Sequence, residues 1–145
     1  MPVTWYGEEL TERIRRAARQ SIVSSVEDIR TEAISLVLEG EKTGRVYRRG
    51  GREHRASAPG EAPASDSGNL VNNITAVYNL EEGWGEVQAN TEYAMRLEYG
   101  FVGEDSLGRS YDQAPRPFLR PALVNQRDAI VNNLVVALQN ELGVE

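Results

Sequence analysis

Apolar residues recur at three- and four-residue steps through the first quarter of the chain. Leu10, Ile14, Ala18, Ile22, Val26 (or Ser25), Ile29, Ala33 and Val37 follow this spacing. It places them on one helical face. No Pro or Gly interrupts residues 8–39, while Gly7 precedes the run and Gly40 follows it as a C-terminal stop. At 1.5 Å per residue such a helix spans roughly 45–50 Å. A compact domain of this size is narrower, about twice a radius of gyration of roughly 15 Å. Either the helix breaks, or part of its apolar face packs on another molecule.

The pattern changes over residues 41–69, where glycines alternate with Arg, Ser and Pro. Arg45-Val46-Tyr47-Arg48-Arg49 and Arg52-Glu53-His54-Arg55 flank Gly50-Gly51. A two-residue glycine turn between short strands predicts a β-hairpin, because tight hairpin turns need positive φ. Both faces are polar, so this hairpin cannot bury itself in its own core. Residues 57–64, Ser-Ala-Pro-Gly-Glu-Ala-Pro-Ala, read as an extended loop. With so few apolar anchors, the arm 41–69 is expected to be mobile in an isolated monomer and ordered in an assembly.

Leu70 to Tyr78 predicts a strand with Leu70, Asn72, Ile74, Ala76 and Tyr78 on one face. Glu81-Glu82-Gly83 makes the turn, and Trp84 to Asn90 returns. Tyr93 to Tyr99 predicts a short helix with Tyr93, Ala94 and Leu97 inward, stopped by Gly100. Residues 101–115 read as a polar loop. Pro117 and Pro121 cannot both sit inside a regular helix, so a last helix is expected from Pro121 to about residue 142. Its inner face would be Leu123, Ile130, Leu134, Leu138 and Leu142, widened by Val131 and Val135. The order predicts an α+β fold: a long N-terminal helix and a C-terminal helix on a small antiparallel sheet, with a protruding Arg-rich hairpin. At 145 residues the chain is expected to be one domain, 1–145, with 41–69 as its arm.

Charge adds a second pattern. The net charge is −6, against the basic balance usual in a free DNA-binding domain. Yet residues 45–55 hold five arginines (Arg45, Arg48, Arg49, Arg52, Arg55) against Glu53, a local +4. Residues 81–105 hold seven acids (Glu81, Glu82, Glu86, Glu92, Glu98, Glu104, Asp105) against Arg96, a local −6. Opposite patches on one small protein suggest pairing between copies. The arginines with Tyr47 could instead track a phosphate backbone. Trp5 and Tyr6 sit ahead of the long helix, where burial is difficult, and are candidates for an intermolecular contact. Tyr93, Tyr99, Phe101 and Phe118 read as core or loop anchors.

Candidate chemistry is scarce. There is no cysteine and one histidine, His54. That excludes disulfides, Cys-containing zinc sites, thiol nucleophiles and multi-His metal sites. His54 has no orienting partner for general-base work. The acids lack the spacing of a calcium loop, and the glycines fit neither the dinucleotide fingerprint nor a phosphate loop. Ser57, Ser65 and Ser67 have no base to activate them. No catalytic residue, cofactor or metal is expected. No run approaches the roughly 18 apolar residues of a membrane span, and residues 1–6 lack the start of a secretion signal.

Two separated segments resemble one family. The first is residues 57–64 with Pro59 and Gly60, followed by Gly68-Asn69-Leu70 and Ile74. The second is Tyr93-Ala94 and Leu97-Glu98-Tyr99-Gly100, followed by Arg116-Pro117-Phe118-Leu119-Arg120-Pro121-Ala122-Leu123. Behind a long N-terminal helix, this order resembles the small neck or tail-completion proteins of long-tailed (siphovirus-type) bacteriophages, often described as minor tail components. Gene-transfer agents carry related parts. The resemblance covers about residues 8–142. It departs at Phe101, where the family commonly has Thr, and in a longer loop before Arg116. The resemblance implies a structural virion protein at the head–tail junction, assembled in the bacterial cytoplasm. It would join the DNA-filled head to the tail tube as a ring, most simply sixfold. Implied partners are sister subunits, other neck and tail-tube proteins, and DNA in the lumen, with no membrane. Tail terminator, tail completion, adaptor, stopper and neck roles all fit, as does a nucleic-acid-binding accessory role for the Arg hairpin. Pro59, Gly60, Tyr93, Gly100, Arg116, Pro117, Phe118 and Pro121 would be structural positions of the motif.

Overall fold

The computed structural model describes residues 2–143, with the side chain of Arg49 outside that description. The fold is α+β. A helix α1 (Gly7–Leu38) is followed by a hairpin β1 (Val46–Arg49) and β2 (Arg52–Arg55). Then come α2 (Asn69–Asn72), the hairpin β3 (Ile74–Asn79) and β4 (Trp84–Ala89), and α3 (Ala94–Tyr99). The chain ends with the hairpin β5 (Phe101–Glu104) and β6 (Ser110–Gln113), then α4 (Leu119–Asn125) and α5 (Arg127–Leu142). The expected small sheet is divided into three separate two-stranded antiparallel sheets.

α1 does not break. Its 32 residues run unbroken, so the reading in which the helix splits is overturned. The buried face is also shifted toward small residues: Ala17, Ser21, Ser25, Val26, Ala33 and Val37. Leu10 and Ile14, on the expected apolar face, are exposed.

The shift follows from what α1 meets. Arg13 Nε donates to the Glu141 carbonyl at 2.7 Å, Asn133 Nδ2 donates to Asp28 at 2.8 Å, and Asn125 Nδ2 donates to Glu32 at 2.7 Å. Partner numbers fall as α1 numbers rise, so α5 runs antiparallel along α1. Ala17 and Ser21 lie between these polar rungs, and Ala137 is the buried residue of α5. Small side chains let the two backbones approach closely. The expected inner face of the last helix is therefore misplaced. Leu123, Val131, Leu134 and Val135 are exposed, while Ile130, Leu138 and Leu142 are half-buried.

The last helix also begins earlier than expected and is interrupted at Gln126. Pro121 is the third residue of α4. N–H groups in a first turn have no intrahelical partner, so the proline removes no ladder bond there. Residues 70–72, read as the start of a strand, belong to the single turn α2 behind Gly68, whose φ is 75°. Residues 101–113, read as loop, form the β5–β6 hairpin. Each strand is only four residues long, Phe-Val-Gly-Glu and Ser-Tyr-Asp-Gln, and neither shows an apolar/polar alternation that a hydrophobicity reading could use.

The core is the cluster of Ala33, Val37, Leu70, Ile74, Ala94, Phe118 and Ala122. Phe118 and Ile74 are its largest fully buried members together with Val37. The sheet β3–β4 lies on α1, with Ile74 opposite Ala89 and Tyr78 opposite Gly85. A Cβ at Gly85 would come within 2.7 Å of the Val26 side chain. Glycine there lets β4 sit down on the helix.

Candidate assembly surfaces

The second resembling segment folds around one buried carboxylate. Glu98, on α3, accepts the Phe118 N–H at 2.8 Å and the Leu119 N–H at 3.0 Å on one oxygen. Its other oxygen accepts the Arg120 N–H at 2.9 Å. The next residue is Pro121, which has no N–H, and Ala122 N–H then begins the α4 ladder to Phe118 O. Every donor of the first turn is thus accounted for. A carboxylate at that position also faces the favourable end of the helix dipole.

Around this knot the backbone is drawn tight. Arg116 N–H donates to Leu97 O at 2.6 Å, and Gly60 N–H donates to Pro115 O at 2.9 Å. Arg116 Nε reaches Ser57 O at 3.3 Å. Gly100 has φ 77°, and a Cβ there would fall 2.6 Å from Gln113 O. Pro59, Gly60, Gly100, Arg116, Pro117, Phe118 and Pro121 are therefore brought together at one junction. Tyr93 stands at its edge, its hydroxyl accepting Asn69 Nδ2 at 3.0 Å. It is exposed rather than inward, as is Tyr99.

Glu98 is one of the seven acids of the 81–105 patch. It is buried, so one member of the acidic patch belongs to the interior. Charge counting cannot separate the two cases. The only available signal was its place inside Leu97-Glu98-Tyr99-Gly100, between half-buried and turn-forming residues.

The base of the arm is also anchored, against expectation. Ser57 and Pro63 are buried. The Glu61 carboxylate accepts Ala58 N–H at 2.8 Å and Thr43 N–H at 2.9 Å, together with the Thr43 hydroxyl. The Thr43 hydroxyl, and then these N–H groups, hold Glu61 below the usual carboxylate range. Residues 57–63 therefore form a built pedestal, and the hairpin is what projects from it.

That hairpin pairs in the expected register, Arg48 opposite Glu53 and Tyr47 opposite His54. Gly50 and Gly51 have φ 56° and 77°, the two positive values that a tight I′ turn requires. Arg45, Arg48, Arg52 and Arg55 are exposed. Arg48 pairs with Glu53 at 3.2 Å, and the Arg45 guanidinium lies 5.4 Å from the Tyr47 ring. The Arg49 side chain lies outside the described residues. The hairpin packs chiefly on itself, as does β5–β6.

Glu81 and Glu82 occupy the β3–β4 turn and Glu86 lies on β4, all exposed. Glu82 accepts the Trp84 indole N–H at 2.8 Å. Arg19 Nε donates to Leu80 O at 3.2 Å, which ties this turn to α1. The ion pairs found among the described residues do not join Glu81, Glu82 or Glu86 to the Arg hairpin.

The remaining acids have local partners. Asp105 is held below the usual carboxylate range, chiefly by the Arg109 N–H and further by its guanidinium, in the β5–β6 turn. Among the described residues no group of three His, Asp or Glu side chains could hold a metal ion. No helix among them is long and apolar enough to cross a membrane. Comparison of the chain with protein families, with curated proteins and with solved structures finds no match.

Proposed function

We propose that this chain is a structural protein of the head–tail junction of a long-tailed bacteriophage. It forms or completes a ring that joins the DNA-filled head to the tail tube, as a tail terminator, tail-completion or neck protein. The role carries no catalytic step and no cofactor. The resemblance described above supplies the family. The observation that supports it is the junction of the two resembling segments, the second folded on Glu98 and the first tied to it through Ser57 and Gly60, with two hairpins that pack chiefly on themselves. Projecting polar hairpins gain a packed environment only from a neighbour. In a ring one heterologous interface repeats, so the basic hairpin of one subunit meets the acidic β3–β4 turn of the next.

A second reading is favoured by the exposed arginines flanking Tyr47, a half-exposed aromatic. These could contact DNA in the lumen. One experiment separates the two. Arg48→Glu, Arg52→Glu and Arg55→Glu together are expected to leave thermal unfolding of the isolated chain nearly unchanged. The same variant is expected to leave heads and tails unjoined, because like-charge juxtaposition at an interface costs several kcal/mol. Adding Glu81→Lys and Glu82→Lys restores joining if the hairpin's partner is a sister subunit. No rescue, together with salt-sensitive DNA binding by the parent chain, assigns the hairpin to DNA. Full infectivity of the triple Arg variant removes the hairpin from assembly altogether.

A further inference from the structure

A cavity of about 310 Å³ opens between the root of the β1–β2 hairpin, residues 63–69, α3 and Arg116. Pro63, which is buried, and Leu97, which is half-buried, give it an apolar wall. Its polar lining is rich in donors. His54, Ser57, Tyr93 and Arg116 bring N–H or O–H groups to it, against one carboxylate among the described lining residues, Asp66. Asp66 is exposed.

Arg116 is half-buried. Its Nε donates to Ser57 O and its Nη1 to Ala114 O, both at 3.3 Å. A guanidinium has five N–H groups, so three remain for a ligand. Among the described residues Arg116 forms no ion pair, and Asp66 does not come within ion-pair distance of it. Drawing a cation out of water is costly unless an anion faces it, and two long contacts to carbonyls leave this charge unbalanced. Other donors beside it are also unspent. The Tyr93 hydroxyl accepts Asn69 Nδ2 at 3.0 Å, which leaves its own proton to give. Ser57 is 6% exposed, and its hydroxyl has no partner among the described residues.

These groups select a guest by charge and geometry. A cation would face Arg116, and a neutral apolar body would leave the donors unpaired. The planar edge of a guanidinium matches a carboxylate or a phosphate. A cavity of this size takes a small organic molecule, whose apolar part would lie on Pro63 and Leu97.

We infer that this cavity binds a small organic oxyanion, a carboxylate or a phosphate monoester with a short apolar body, anchored on Arg116. The inference goes beyond the assembly reading and does not depend on it, because all the lining residues come from one chain.

The test is a titration of the ¹⁵N-labelled full-length chain with benzoate, with phenyl phosphate and with neutral benzyl alcohol, at constant ionic strength. At least one of the two anions is expected to shift the Arg116 Nε–H and the Ser57 and Gly68 amide signals saturably, with a Kd in the millimolar range. The tighter of the two identifies the source of the oxyanion. Benzyl alcohol is expected to bind at least about tenfold more weakly, since it cannot pair with the guanidinium. Arg116→Lys keeps the charge but loses the planar fork, and is expected to weaken anion binding by about tenfold. Asp66→Asn, at an exposed position, is expected to tighten it severalfold by removing a like charge. It decides the matter even if Arg116→Lys fails to fold. No saturable shift with either anion, benzyl alcohol binding as tightly as the anions, or an affinity unchanged by Asp66→Asn would each overturn the inference. So would undiminished binding by a folded Arg116→Lys variant.

Discussion

Phe118→Ala is expected to lower the unfolding free energy by about 3–5 kcal/mol, read from the midpoint and slope of a urea transition. Phe118 is fully buried and shares its cluster with Val37, Leu70, Ile74 and Ala122. These come from α1, α2, β3 and α4, so the ring is where four elements meet. Truncation leaves a cavity that backbone segments tied to Glu98 and Leu97 cannot easily collapse into. Domains of this kind have only about 5–15 kcal/mol in hand, so the loss is a large share. Leu134→Ala serves as the contrast. Leu134 is 41% exposed, and its truncation is expected to cost about 1 kcal/mol or less. A loss at Leu134 equal to that at Phe118 would put the core on the wrong side of α5.

The second large effect is expected at Glu98. Glu98→Ala removes the acceptor of three N–H groups at the start of α4. A buried donor left without a partner costs about 1–3 kcal/mol, which falls in full on the buried Phe118 N–H and less on the part-buried Leu119 and Arg120 N–H groups, which water can reach. A total of roughly 2–4 kcal/mol is expected. Glu98→Gln separates hydrogen bonding from shape. Its amide oxygen keeps an acceptor for Phe118 and Leu119, but its NH₂ group faces the Arg120 N–H, donor against donor. An intermediate loss is expected, with faster hydrogen exchange at 118–120 than in the parent. Unchanged exchange at those three amides in Glu98→Ala would show that α4 is capped by something else.

These two residues show what the sequence carried and what it hid. Turn chemistry was legible: Gly50-Gly51 fixed the hairpin register, Gly83 closed β3–β4, and Gly40 and Gly100 followed helix ends. Periodicity located α1 but not its buried side. That side is set by the close approach of α5, which selects Ala17, Ser21 and Ser25 over Leu10 and Ile14. On α5 apolar residues occur on several sides, so periodicity had no means of choosing Ala137 over Leu134. Glu98 was hidden because the donors that satisfy it lie some 20 residues further along the chain. Pairing of β5 with β6 was hidden for a related reason, since neither strand has an apolar face to announce it.

The projecting surfaces follow from the same logic. The Arg hairpin and the β5–β6 hairpin each pack chiefly on themselves, and the first turns of α1 leave Leu10 and Ile14 exposed. Among the described residues the Arg hairpin forms no ion pair with Glu81, Glu82 or Glu86, while the first turns of α1 are tied to Glu141 of α5.

The most direct measurement is the imaging of particles made when the gene for this chain is disabled during phage growth. The account predicts DNA-filled heads and complete tails that accumulate separately, and their joining on supply of the intact protein. Joined, infectious particles at normal yield without the protein would contradict it.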